Sequence, residues 1–273
     1  MTKKKFLFMT IRASHLAIFL SILISSAALC ILISMTAGIH TGAKQGGKLA
    51  IVIDDFGLQR KGVSEMLSLD CKLTAAVMPF LEYSEDDAEN ALENGKEVII
   101  HIPMQATTHD VPSHLGPRPI KVSDSESDIK QWIYDAREDL PEAVGANIHM
   151  GTLCSTKSEI MHPVFENLKQ NNMFFLDSKT SSKSVCRKTA KEVGIRFYEN
   201  EVFLEHEKKT KAYVKKQLRK AMKIALKTGE CVAIGHVGYE GGIITAEAIS
   251  ELLPECKENN IELVFLSELS PIT

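Results

Sequence analysis

Aromatic residues are scarce, at 6% of the chain with a single tryptophan, Trp132, so the sequence advertises no long cleft of sugar-stacking rings. Cysteines are few and badly spaced for chemistry. Outside the N-terminal apolar run, which holds Cys30, lie Cys71, Cys154, Cys186, Cys231 and Cys256. This odd set has no CxxC pair, so it implies neither a disulfide framework nor a thiolate zinc site, and buried thiols are expected. Basic residues hold no majority, with 32 Lys+Arg against 35 Asp+Glu. Acid is absent from residues 1–47, where Lys3, Lys4, Lys5, Arg12 and Lys44 lie, and the remainder carries a net charge of −8. Such a body opposes the phosphate neutralisation that nucleic-acid binding requires, so no nucleic-acid partner is expected. No repeat, low-complexity tract or glycine-rich phosphate loop is present.

The first long feature that is present is apolar. From Leu16 to Ile39 no residue carries a formal charge, and at about 1.5 Å per residue such a helix crosses a hydrocarbon core of about 30 Å. Residues 1–15 form a basic cytoplasmic segment, residues 16–39 a transmembrane anchor or uncleaved signal, and 40–48 a small-residue linker. The body, 49–273, is then extracytoplasmic, in a single-pass protein of the cytoplasmic membrane; cleavage near Ala37 or Ala43 gives the alternative of a secreted or periplasmic protein.

Within the body, short apolar runs alternate with helix-period segments. LAIVI (49–53), TAAVM (74–78), EVIIH (97–101), VGANI (144–148), MFFLD (173–177), IRFYE (195–199), CVAIGH (231–236) and IELVFL (261–266) read as strands. Segments 84–94, 125–139, 156–170, 208–227 and 244–258 read as helices, with Ser84, Ser125 and Ser155 as capping residues. Runs apolar at nearly every position indicate strands covered on both faces, hence a parallel sheet, closed as a (β/α) barrel or open and doubly wound. Eight units at this length favour a distorted barrel of seven or eight strands, preceded by the one transmembrane helix.

Reactive side chains fall where such strands end. Asp54 and Asp55 follow the first run, His101 ends the third, His149 follows the fourth, Asp177 ends the fifth and His236 ends the seventh. In a parallel barrel those C-terminal ends share one rim, where active sites assemble. A carboxylate and two neutral imidazoles make an open three-ligand site for Zn²⁺ or a similar divalent cation, and a second carboxylate can accept a water proton. The bland alternative makes Asp54-Asp55 a helix N-cap before residues 58–68.

The blocks IVIDDFG (51–57), TAAVMPF (74–80), EVIIHIPMQ (97–105), LGP (115–117), VGANIHMGT (144–152), FFLDSKTSS (174–182), NEVFL (200–204), AIGH (233–236) and LVFLSEL (263–269), in this order, resemble the divergent polysaccharide deacetylase family. The resemblance implies a distorted barrel and metal-assisted hydrolysis of an acetamide or acetyl ester on an acetylated glycan of the cell envelope. It implies Asp54 as general base, Asp55 and His149 as metal ligands, and His236 as the general acid. Well-studied deacetylases place a second ligand His four residues after the first, where this chain has Leu153. His101, ending a neighbouring strand, is the expected substitute. Asp177 is expected to orient His236 or a ligand, with Asn147 and Ser178 as supporting donors. The chain also departs from the family pattern at Ile148, where a second Asn is usual, and at Val237, where Pro is. The alternative is a catalytically silent envelope protein that keeps the barrel and binds glycan or a protein; no sequence feature identifies a protein partner. His109 and His114 fall in the loop 102–124, long enough to cover the mouth, and Lys208 to Lys227 reads as a solvated basic helix.

Overall fold

Leu49 to Phe56 are all buried, which requires a strand covered on both faces, and they form most of β1 (Gly47–Phe56). The computed structural model describes residues 46–107, 115–239 and 241–272. Along the chain follow β2 (Thr74–Val77), β3 (Glu97–Met104), β4 (Gly145–Met150), β5 (Phe174–Asp177), β6 (Phe197–Glu199), β7 (Val202–Phe203), β8 (Glu230–His236) and β9 (Ile261–Val264). Each of the eight apolar runs contains one strand, and β7 is an addition of two residues. Every pairing is parallel, in the order β6-β5-β4-β3-β2-β1-β8-β7, with β9 beside the first half of β1.

The helices are α1 (Val63–Leu67), α2 (Ser84–Glu93), α3 (Glu126–Asp139), α4 (Ser158–Gln170), α5 (Cys186–Val193), α6 (Lys211–Thr228) and α7 (Ile243–Glu258). Their apolar faces, through residues such as Val63, Ile129, Val164, Val214 and Ile249, all enter one core with Leu49, Ile51 and Ile53 of β1. The opposite face of the sheet packs separately. Ala50 and Val52 meet Ile99, Phe174, Leu176, Val232 and Ile234 there, together with Leu266 and Leu269, and no α-helix among the described residues contributes. Helices on a single face exclude the doubly wound alternative, in which both faces are covered. The sheet is therefore curled around an interior of its own.

That curl is a parallel half-barrel of eight strands rather than a fully laddered ring. β6 pairs with β5 and β7 with β8, but no ladder joins β6 to β7. Only Asn200 and Glu201 separate the two, and Asn200 Oδ1 accepts the Val202 N–H at 3.1 Å, so one short segment serves both edges in turn.

Ser125 caps α3 as expected, in a reciprocal box with Asp128. Ser84 and Ser155 do not cap. Ser84 Oγ donates to the Met78 carbonyl at 2.6 Å, and Ser155 lies in a 3₁₀ turn ahead of α4. Cys154, Cys186, Cys231 and Cys256 are buried, as expected, while Cys71 is partly exposed. Among the described residues no helix is long and apolar enough to cross a membrane; the expected anchor 16–39, with Cys30, and His109 and His114 lie outside the described residues.

Candidate active site and metal centre

Strand alternation decides which polar residues enter the curled interior. On β1 the inward positions Ala50 and Val52 lead to Asp54; on β3 Ile99 leads to His101; on β8 Val232 and Ile234 lead to His236. On β4 the outward Ala146 and Ile148 leave Asn147 and His149 facing in. Register aligns them, with Asp54 opposite His236, His101 opposite Asn147 and Pro103 opposite His149.

Alternation alone would send Asp55 outward with Ile51 and Ile53. A bulge prevents this: the β1–β2 register shifts between Ile53 and Phe56, and Asp55 takes a left-handed backbone with φ of 72°. A non-glycine residue held there is strained, a feature that clusters at functional sites. The bend turns the Asp55 carboxylate into the same cavity as Asp54. This excludes the helix-cap reading, since α1 begins eight residues later and its N-cap is Gly62. A second irregularity follows His149, where Met150 and Gly151 have φ of 56° and 62°; a Cβ on Gly151 would lie 2.3 Å from Ile148 Cγ2.

Three donor atoms meet at nearly equal spacing. Asp55 Oδ1 lies 3.3 Å from His101 Nε2 and 3.1 Å from His149 Nδ1, and the two imidazole nitrogens are 3.1 Å apart. Ligands about 2.1 Å from a tetrahedral cation stand about 3.4 Å from one another, so the trio fits one face of such a site. Buried Asp55 Oδ1 makes no hydrogen bond of acceptable geometry, which leaves its lone pairs for a cation. Asp55, His101 and His149 are the one group of this kind among the described residues.

Asn147 joins this centre to Asp54. Its Oδ1 can only accept, so His101 Nδ1–H donates to it at 2.7 Å, which fixes the ring with Nε2 turned toward Asp55. Its Nδ2 donates to Asp54 Oδ1 at 2.7 Å. Burial raises the Asp54 carboxyl above the usual range, although His101 and His236 draw it down. Burial also acts against the charge on Asp55, but the imidazoles of His101 and His149, 3.3 Å and 3.1 Å from its Oδ1, hold it well below that range. Burial would strip His101 of a proton; Asp54 and Asp55 overcome this and raise it.

His236 has its own carboxylate. Its Nδ1–H donates to Glu205 Oε2 at 3.1 Å, and Thr245 Oγ donates to the other oxygen of Glu205. Burial again opposes the cation, yet Glu205, Asp55 and Asp54 push the imidazole up to about 10. Sequence reasoning missed Glu205. Its only signal was position, one residue beyond NEVFL at the end of β7.

Asp177 is a correction. It shares the outward parity of Phe175, and its oxygens accept from the Lys179 N–H at 2.8 Å and Ser184 Oγ at 2.7 Å, so it shapes the following loop and orients neither His236 nor a ligand. Ser178, of inward parity, lines the cavity and clasps Ile148: its Oγ donates to the carbonyl at 2.9 Å and accepts from the N–H at 3.3 Å. The cavity measures about 690 Å³ and holds Asp54, Asp55, His101, His149, Ser178 and His236. His162 and His206 are exposed and do not line this cavity.

A curled parallel α/β sheet thus gathers at its C-terminal rim an Asp-His-His cluster with the donor chemistry to hold a divalent cation, a second acid and a carboxylate-bound histidine. The family is shown by sequence: the model for divergent polysaccharide deacetylases matches residues 51–270, and the chain belongs to that family. An uncharacterized protein of Haemophilus influenzae is 32% identical over 221 residues, covering 80% of this chain and 76% of its own length. The uncharacterized protein YibQ of Escherichia coli K12 is 33% identical over 190 residues, covering 70% of this chain and 58% of that protein. The solved structure of an uncharacterized protein of Agrobacterium tumefaciens C58 superposes with a TM-score of 0.72 at 21% identity, over 82% of this chain and 89% of that one, and shares the fold.

Proposed function

We propose that this protein is a metal-dependent hydrolase that removes acetyl groups from a cell-envelope polysaccharide, acting on the outer side of the membrane to which residues 16–39 anchor it. The observation that carries the reading is the donor triangle of Asp55, His101 and His149, with Asp54 beside it and His236, held by Glu205, opposite Asp54 on the neighbouring strand. A divalent cation held by the three donors, Zn²⁺ by their chemistry, would supply the positive charge that polarises an acyl carbonyl and acidifies water.

The chain's own groups divide the protons. Asp54, steadied by Asn147 and 3.8 Å from His101, accepts the proton of the attacking water. His236, kept cationic by Glu205, donates a proton to the departing nitrogen of an acetamide or oxygen of an acetyl ester. As the carbon–oxygen bond to water forms, the bond from the acyl carbon to the glycan breaks; acetate and a free amine or hydroxyl leave, and the proton on Asp54 restores His236 through solvent. Asn147 and Ser178 keep the ligands aimed.

Elemental analysis of the purified full-length protein, beside acetate release from acetylated glycan with Zn²⁺, Mn²⁺, Ni²⁺ or Co²⁺ supplied, tests this. Near-stoichiometric metal and acetate release are expected. Absence of both leaves a silent envelope protein and sinks the hydrolase.

A further inference from the structure

In such a hydrolysis the acyl carbon sits beside the donor triangle, so the glycan, as leaving group, lies on the side of His236, which must protonate it. What surrounds His236 therefore touches the sugar. On one side Phe203 of β7 stacks near-parallel to the imidazole, with centroids 6.2 Å apart and planes 15° apart. Three residues beyond His236 comes Tyr239, which lines the same cavity and is 77% exposed, the most exposed large hydrophobic side chain among the described residues.

The ring is displayed from a fixed backbone. The Tyr239 N–H donates to Gln59 Oε1 at 3.0 Å, the Gly238 N–H to the Lys61 carbonyl at 2.8 Å and the Gly242 N–H to the His236 carbonyl at 2.9 Å. Gly62 and Gly242 pack so closely that a Cβ on Gly62 would lie 2.4 Å from the Gly242 backbone, which locks the loops after β1 and β8 together. An aromatic ring left in water at the rim of a catalytic cavity, on a backbone pinned from three sides, loses little freedom when a ligand covers it.

Resting on the hydrolase reading for the direction of the leaving group, we infer that Tyr239, with Phe203 inside it, is the platform for the sugar next to the acetylated unit. The substrate is then a chain of sugars, not a small acetylated molecule, because only a chain that continues past His236 reaches Tyr239. The apolar C–H face of a pyranose lies on the ring, and its hydroxyls stay in water.

Binding tests this without turnover. Full-length protein in detergent is run through native gels containing glycol chitin, a soluble N-acetylated polymer. The wild type is expected to be retarded, Tyr239→Ala to bind about tenfold more weakly, and Tyr239→Phe, which keeps the ring, to bind as the wild type does. Free N-acetylglucosamine, too short to span His236 and the rim, should not compete at equal sugar concentration. Unretarded wild type, equal retardation of Tyr239→Ala, or full competition by the monomer overturns the platform. A wild type that is retarded but releases no acetate with metal supplied would sink the hydrolase and leave the platform standing.

Discussion

The mouth of the half-barrel and the seam between α6 and α7 both set acids against bases at contact distance, and they differ in water. Along the seam Lys211, Lys215 and Arg219 repeat every four residues and meet Glu247, Glu251 and Glu255, which repeat in step. These side chains remain partly open to solvent, where screening and side-chain entropy erase most of the attraction. In the mouth, the side chains of His101 and Asp54 are 1% and 4% exposed, and Glu205 beneath His236 is 2% exposed. Desolvation there makes each neighbouring charge decide a protonation state. The seam thus adjusts solubility and local packing, while the mouth sets protonation states, although the residue types are nearly the same.

The largest break in this comparison is expected at the donor triangle. Asp55→Ala should lose bound metal and all acetate release, because it removes the one ligand both imidazoles share. Asp54→Asn should retain metal and lose about 10²–10⁴-fold in kcat, since only the proton acceptor is gone. Elemental analysis of both variants, with folding checked by circular dichroism, separates the roles; equal metal loss in the two would mean that Asp54 and Asp55 act as one binding group.

Glu205→Gln should come next, with a fall in kcat/KM of about 10–100-fold at neutral pH. In the wild type the His236 proton persists up to about pH 10, so the acid is present throughout the neutral range. Removing the carboxylate lowers that limit, and the alkaline limb of the pH profile should move toward neutrality. The sign for stability follows: a histidine raised on folding contributes fully below its unfolded value near 6.5 and loses the contribution as pH rises through about 10. Glu205→Gln should therefore destabilise most at and below neutral pH and least at strongly alkaline pH. Imidazole NMR titration of His236 checks the shift directly, and an unchanged value would remove Glu205 from the acid's machinery.

What the sequence made legible follows from periodicity. Apolar runs marked eight strands because a strand buried on both faces leaves no polar position, and the two-residue alternation that carries Asp54, His101, His149 and His236 inward is a property of any strand. Asp177 misled because it ends its strand on the opposite parity, which a one-residue uncertainty in the strand boundary hides. The bulge at Asp55 and the split between β6 and β7 were not legible, since both depend on pairing with distant partners rather than on local pattern. Glu205 escaped for the same reason: it is one acid among many until β7 is seen beside β8, 31 residues on in the chain.

The smallest effect is expected on the seam, where Arg219 holds Glu255 through both its Nε and an Nη atom, at 2.9 Å and 2.8 Å. Its geometry is the best of the rungs, yet the Arg219 side chain is 46% exposed. Arg219→Ala should lower Tm by no more than about 2 °C, and the difference should shrink further in about 1 M salt, where the Debye length falls to about 3 Å. Metal content and acetate release should stay at wild-type levels. A larger, salt-insensitive loss would mean that the aliphatic stem of Arg219, not its charge, packs α6 against α7, and the contrast between a wet seam and a dry mouth would then concern burial alone.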